Sequence, residues 1–376
     1  MACLHSLTLT AYRSYPWLQL RGEAGFNILT GPNGAGKTNI LEAISLLSPG
    51  RGLRKAKLGE LQQAGNPAPW AISARFSPGE DEIVIGTGRD PNDPDSARRV
   101  VIIDGRRTQQ AELAEQLSVL WVTPAMDRLW TEAPSARRRL LDHLALTLDP
   151  AHATRLNRYE DALAERNRML KDGRTDDRWL GSLEHTLASE GVAVAAARRE
   201  LVKELSSFLS HSTGSDNLFP VPALSLEGIE TWLDDAKALA VEDRLRDELA
   251  KTRGLDAMTG ITSIGPHRSD LIAFYAEKNL PAALGSTGEQ KALVLSLILA
   301  QAMLVKTTRK IPPILLLDEV GAHLDESRRE DLYNTLISLG CQNWLSGADR
   351  SLFTPLLGRF LCYEIAPGIA REIQPV

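Results

Sequence analysis

The sequence is poor in cysteine, has no long apolar run and carries no surplus of positive charge, and each shortage narrows what it can be. Its three cysteines, Cys3, Cys341 and Cys362, lie far apart and form no CxxC pair. That excludes a disulfide scaffold and a cysteine zinc site, and suits reduced thiols in a cytoplasmic protein. No basic stretch followed by an apolar run opens the chain, so no secretory leader is expected. The longest apolar run, Ala292 to Val305, is broken by Ser296 and Gln301 and falls short of the ~20 residues that span a bilayer, so no membrane association is expected. A formal net charge of −5 rules out a surface that is basic all over, though not a local basic patch for nucleic acid. No internal repeat is visible.

What is present folds readily. A chain of 376 residues with 43% hydrophobic and 24% charged residues has the composition of a globular protein and the length for two lobes. Leu4 to Leu9 alternates apolar and polar residues, and Phe26 to Leu29 is a short apolar run ending near a glycine, so both read as strands. Asn39 to Leu47 places Ile40, Leu41, Ile44 and Leu47 at helical spacing and is stopped by Pro49-Gly50. Three β-like segments, Ala71 to Phe76, Ile83 to Ile85 and Val100 to Ile103, are separated by turn-rich stretches such as Asp90 to Pro94 and suggest an antiparallel sheet. From Ser135 to Lys251 the chain turns to Ala, Leu, Arg and Glu, broken by a loop at His211 to Pro222, and reads as helical. The last third alternates again. A strand at Leu271 to Tyr275 is followed by a helix at Thr287 to Lys306, a strand at Ile314 to Leu317, a helix at Ser327 to Leu339 and a strand at Asn343 to Ser346.

Three short motifs carry the chemistry. Gly31-Pro32-Asn33-Gly34-Ala35-Gly36-Lys37-Thr38 fits G-x-x-x-x-G-K-[ST] between a strand and a helix. Its glycines let backbone N–H groups close on phosphate, Lys37 adds a cation near the β and γ phosphates of ATP, and the Thr38 hydroxyl suits Mg²⁺. Ile314 to Glu319 is an apolar strand ending in two acids. Asp318 would hold the metal and Glu319 would polarise a water, although a buried strand ending in solvated carboxylates is the plainer reading of that motif alone. Ser286-Thr287-Gly288-Glu289-Gln290 opens an apolar helix, either as a simple N-cap or as an anion contact through Ser286 and Gly288.

The order of these motifs, with the loop Gly321-Ala322-His323-Leu324-Asp325 after the acids, resembles the ABC-type ATPases. Within them the chain looks like the RecF family of bacterial recombination mediators over nearly its whole length. The carrying residues are Ala11-Tyr12-Arg13-Ser14-Tyr15, the phosphate loop through Ile44, Pro134 with Arg137 to Asp142, Gly265-Pro266-His267-Arg268, and Gly288 to Lys291. The resemblance implies an α/β fold, in which a split ABC-type core on a mixed sheet, residues 1–115 and 262–376, receives a mostly helical lobe, 116–261. It further implies that Arg13 and Asp325 serve the nucleotide, that Ser286 and Gly288 act across an ATP-dependent homodimer, and that Lys37 and Glu319 support a weak, DNA-stimulated ATPase. The partners it implies are RecO, RecR and DNA at single-strand gaps or junctions, where RecA is loaded. Many ABC ATPases place a histidine after the strand Asn343 to Ser346, whereas Gly347-Ala348-Asp349 stands here, so slow hydrolysis is expected.

DNA contacts are less legible. Arg51, Arg54, Lys55 and Lys57 form a basic loop after the phosphate-loop helix that reads equally as solvated surface or as a DNA contact. Arg137 to Arg139 cannot all face one phosphate backbone from a helix. Arg137 is the candidate contact, with pairing inside the lobe as its alternative, and Arg198-Arg199 reads as a solvated helix face. The competing functions are an ATPase subunit energising a membrane transporter and a DNA-binding scaffold that holds ATP without turnover.

Overall fold

The computed structural model describes residues 2–79, 81–93, 96, 98–173, 176–211, 219–356 and 360–374, and the structural statements below concern these. They fall into two units, Met1–Asp127 with Val294–Val376, and Arg128–Leu293.

Two six-stranded sheets build the first unit. One has the order Ile369–Ile373, Phe360–Ala366, Phe26–Thr30, Gln342–Gly347, Ile314–Asp318, Val119–Val122, parallel throughout except for its first, hairpin pair. Three adjacent strands, Phe26–Thr30, Gln342–Gly347 and Ile314–Asp318, are buried at every residue, as strands covered on both faces are. In this register Asp318 lies beside Ser346, and Ser346 beside Leu29. The carboxyl ends of three strands thereby share one edge, where open α/β sheets bind ligands.

The other sheet is antiparallel, in the order Tyr15–Arg21, Cys3–Tyr12, Ala71–Ser77, Ile83–Gly88, Val100–Ile103, Arg106–Thr108. Here the side chains alternate, with Leu7, Leu9, Leu18 and Leu20 turned inward against Ile40 and Ile44 of the helix Lys37–Ser45. That helix starts two residues before the expected Asn39, since Lys37 and Thr38 are already helical. Buried Arg99 closes its far end by donating to the carbonyls of Leu46, Ser48 and Gly50, with no carboxylate partner among the described residues. A cation at the negative end of a helix dipole is the arrangement that end favours.

The second unit holds the long helices Pro134–Leu148, Ala151–Lys171, Asp177–His211 and Ala238–Thr259 around Tyr159, Leu187, Val192, Val241, Leu245 and Leu249. A small antiparallel sheet, Leu280–Pro281, Asp270–Tyr275, Pro222–Glu227, belongs to it. Both cuts between the units fall later than the expected 115/116 and 261/262. Val119–Val122 pairs with Ile314–Asp318 and so stays in the first unit, while Asp270–Tyr275 pairs with Pro222–Glu227 and stays in the second. Residues 212–218 of the expected loop at His211 to Pro222, and Pro94 of the turn-rich stretch, lie outside the described residues. The helix Thr287–Arg309 is long and apolar enough to cross a membrane, longer than the apolar run alone suggested. Most of its apolar window is buried inside the protein, the signature of a core helix.

Candidate functional site

The strand Phe26–Thr30 delivers the chain into the loop Gly31 to Gly36 at the sheet edge. Two positions there admit only glycine. Gly31 has φ 143° and a Cβ on it would strike the Ile365 carbonyl, and Gly36 has φ 113° with the Tyr15 hydroxyl where its Cβ would stand. Ala35 N–H bonds to the Pro32 carbonyl at 3.2 Å, whereas the N–H groups of Gly34 and Gly36 find no acceptor among the described residues. The helix that follows has neither a side-chain cap nor an acid in its first turn, so its positive end is left open to an anion.

Lys37 is 4% exposed, and its ammonium donates to the carbonyls of Gly31 at 2.7 Å and Pro32 at 3.1 Å, with Glu319 Oε1 at 3.6 Å. A buried cation that leans on its own loop, with its carboxylate neighbour Glu319 beyond hydrogen-bond length, is poised for an outside anion. Beside it the Thr38 hydroxyl donates to both oxygens of Asp318, at 3.1 and 3.0 Å. Burial raises the Asp318 pKa, and hydrogen bonds from Ser346 and Thr38 and the charge of Arg54 oppose that rise. Glu319 follows in the left-handed region at φ 53°, strained for a residue with a Cβ, and its N–H donates to Ser346 Oγ at 3.0 Å. Ser346 Oγ in turn donates to Asp318 Oδ1 at 2.6 Å, so one hydroxyl ties both acids. Sequence reasoning assigned Ser346 no role, and only the register of parallel strands, which sets it beside Asp318, could have shown one.

These residues fit a nucleoside triphosphate and magnesium. The loop offers free N–H groups, a buried ammonium and a helix start, which is the chemistry a polyphosphate needs. No group of three or more metal-binding side chains occurs among the described residues. One carboxylate with one hydroxyl suits Mg²⁺, which keeps waters and phosphate oxygens as its other ligands.

The remaining expected residues are placed differently. Arg13, also left-handed at φ 53°, forks onto buried Glu42 with two bonds of 2.8 Å and donates to the Glu60 carbonyl, so its guanidinium is engaged by protein. Tyr12 donates to the same carboxylate at 3.2 Å. Arg54 donates to Asn39 Oδ1 at 2.7 Å and lies 3.8 Å from Glu42, next to the phosphate-loop helix; Arg51, Lys55 and Lys57 are exposed. Asp325 caps the helix Glu326–Leu339 by accepting from Arg328 N–H at 2.8 Å. Ser286 and Gly288 belong to the second unit and are exposed. Ser286 forms a capping box with Glu289, and nothing lies within 4 Å of a Cβ built on Gly288.

Arg137 takes the alternative of pairing inside its own unit. It is 8% exposed, forks onto Asp270 at 2.8 and 2.7 Å, and donates to the carbonyls of Leu129, Trp130 and Glu132. Arg198 also departs from its expected solvated face. At 2% exposure it forks onto Asp142 and reaches Glu230 and the Pro266 carbonyl.

A family profile described as the RecF/RecN/SMC N terminal domain matches residues 3–346. The chain is 44% identical over 359 residues to the DNA replication and repair protein RecF of Mesorhizobium japonicum, covering 95% of this chain and 94% of that one. It is 44% identical over 365 residues to the protein of the same name from Rhizobium etli, covering 97% of each. Its fold is similar to a solved structure described as the recombination mediator protein RecF-ATPrS in the RecFOR pathway, with TM-score 0.86 at 22% identity, covering 99% of this chain and 98% of that one. A more distant likeness, at TM-score 0.54 and 18% identity over 99% and 96% of the two chains, is to an Smc head domain derived from Pyrococcus furiosus. The profile match across most of the length and the identity to these relatives make the chain a member of the RecF family, with that family's α/β architecture.

Proposed function

We propose that this protein is a DNA-binding recombination mediator that uses ATP as a switch: it dimerises with ATP on DNA, hydrolyses ATP slowly, and with RecO and RecR supports loading of RecA at single-strand gaps. The observation that carries the reading is the linked set Lys37, Thr38, Asp318, Glu319 and Ser346 at one sheet edge. The relatives named for DNA replication and repair supply the biological direction.

Magnesium bound with the triphosphate would neutralise phosphate charge and fix its orientation. Thr38 and Asp318 would hold that ion, and Lys37 would leave its own loop carbonyls for the phosphate oxygens. Glu319 would take the proton of the attacking water. Its carboxylate is accessible, with the side chain 31% exposed, and its backbone is held rigid by Ser346. Exposed Ser286 and Gly288, already at a helix start, are arranged to meet an anion presented by a second copy. Without a histidine after Gln342–Gly347 the site has one polar group fewer at the phosphate end, which suits a timed switch.

Turnover and DNA affinity of wild type, Lys37→Met and Glu319→Gln test this. Glu319→Gln should bind ATP normally, lose at least ~100-fold in turnover and stay dimeric on gapped DNA. Lys37→Met should lose ATP binding and, with it, ATP-dependent DNA binding. Turnover unaltered by Glu319→Gln would reduce the protein to a scaffold that holds ATP, and DNA affinity indifferent to ATP would remove the switch.

A further inference from the structure

The Gly265-Pro266-His267-Arg268 element, which the nucleotide site leaves unused, is a rigid turn in the second unit. Gly265 enters it at φ 134°, where a Cβ would strike the Tyr159 hydroxyl. Arg198 donates to the Pro266 carbonyl at 2.6 Å and Arg138 to the Ser269 carbonyl at 2.7 Å. Both His267 Nε2, at 2.9 Å, and Arg268 Nε, at 3.1 Å, reach the Thr262 carbonyl. Since a carbonyl only accepts, Nε2 carries the ring proton and Nδ1 accepts from Tyr159 at 2.6 Å. Burial, helped by the nearby arginines, pushes the pKa of the imidazole down to about 4, which keeps the ring neutral at ordinary pH.

Arg198 and Arg138 thus hold residues 266 and 269 around the turn's own Arg268, and the carboxylates near these three arginines are already engaged. Asp142 is forked by Arg198 and bonded to His152. Glu230 takes Arg198 and Ser269, and Asp270 is forked by Arg137. Among the described residues none of these carboxylates hydrogen-bonds to the other two arginines, and Asp270 and Asp142 reach Arg138 through their charge alone. Half-buried Arg138 has one carbonyl acceptor, leaving its Nε and Nη2 without a partner among the described residues, and exposed Arg268 has both terminal nitrogens free. Burial and the positive neighbours Arg198 and Arg268 weaken the hold of Arg138 on its proton despite Asp270 and Asp142. Folding has brought two guanidinium groups within electrostatic reach of each other and given neither a hydrogen-bonded carboxylate among the described residues.

We propose that Arg138 and Arg268 form a binding site for a backbone phosphate of nucleic acid. Planar forks match phosphate oxygens bidentately, and immobile donors lose little freedom on binding. The site rests on the reading of this protein as a DNA-binding one and gives that reading an address away from Arg137.

The test titrates a labelled gapped duplex, with ATP and Mg²⁺, against wild type, an Arg138→Gln/Arg268→Gln double variant and Arg178→Gln, an exposed arginine elsewhere in the same unit, across a salt series. The double variant should lose about tenfold or more in affinity and one to two units of the log–log salt slope, with ATP binding and circular dichroism unchanged. Arg178→Gln should match wild type. Should the glutamines disturb folding, Arg138→Lys/Arg268→Lys keeps the charges and should hold the slope while weakening binding. A double variant indistinguishable from a DNA-binding wild type overturns the site alone. So does an equal loss in Arg178→Gln, or binding of polyglutamate that the double variant loses while keeping its DNA affinity. A wild type that binds no DNA in any nucleotide state overturns the functional reading together with this one.

Discussion

Both units bury charge, and the phosphate-loop site of the first treats it in the opposite way from the helical core of the second. In the second unit Asp142 is held down to about 2: burial would raise it, but the Arg198 charge and hydrogen bonds from His152 and Arg198 prevail. Arg166, wholly buried, is closed by Glu184, Asp256, Thr262 and the Leu249 carbonyl. In the first unit burial pushes Asp318 up, and Lys37 is buried among carbonyls of its own loop. A charge that the fold neutralises holds the fold together, whereas a charge left incomplete is kept for something that arrives later.

The largest test of this contrast is Arg166→Met. Removing the cation leaves Glu184 and Asp256 buried without it, so the second unit should lose about 3–5 kcal/mol in urea unfolding followed by circular dichroism. A loss below ~1 kcal/mol would mean that the network is ornamental.

A smaller effect is expected from His267. Its folded pKa of about 4 lies below the ordinary histidine value of 6.5, so its contribution is complete above pH 6.5 and is lost as pH falls toward 4. The window is set by the unfolded chain taking up the proton first. The loss should reach about 3 kcal/mol across that range, read as the difference in pH dependence between wild type and His267→Gln. Equal slopes in the two proteins would deny the ring its neutral, buried state.

The smallest change sharpens the contrast from the other side. Lys37→Met should shift the stability of the nucleotide-free protein by less than ~1 kcal/mol, because that ammonium closes no ion pair of hydrogen-bond length. A loss as large as that of Arg166→Met would erase the distinction between the two kinds of buried charge.

Much of the first unit is legible in the sequence because its signals are local. Phe26–Thr30 and Ile314–Asp318 are short, mainly apolar runs, and the phosphate loop announces itself by glycine spacing. The strands Tyr15–Arg21, Val119–Val122, Phe360–Ala366 and Ile369–Ile373 escaped notice, being short or mixed in polarity and defined by partners distant in sequence. Pro222–Glu227 was hidden behind a loop in helical composition. The same physics decides the site. Lys37 and Thr38 act from within a motif, while Ser346 meets Asp318 across 28 residues through strand register alone. Arg198, within a run of Ala and Arg, finds Asp142 56 residues away and Glu230 32 residues away. No window along the chain contains such pairings.

The left-handed backbone of Glu319 has a consequence for anyone who selects variants of this protein. A side chain with a Cβ costs roughly 1–2 kcal/mol in that conformation, which glycine would recover and asparagine would reduce. A library screened for heat resistance alone should therefore enrich Glu319→Gly and Glu319→Asn, and its hardiest survivors would be those that have discarded the water-activating carboxylate.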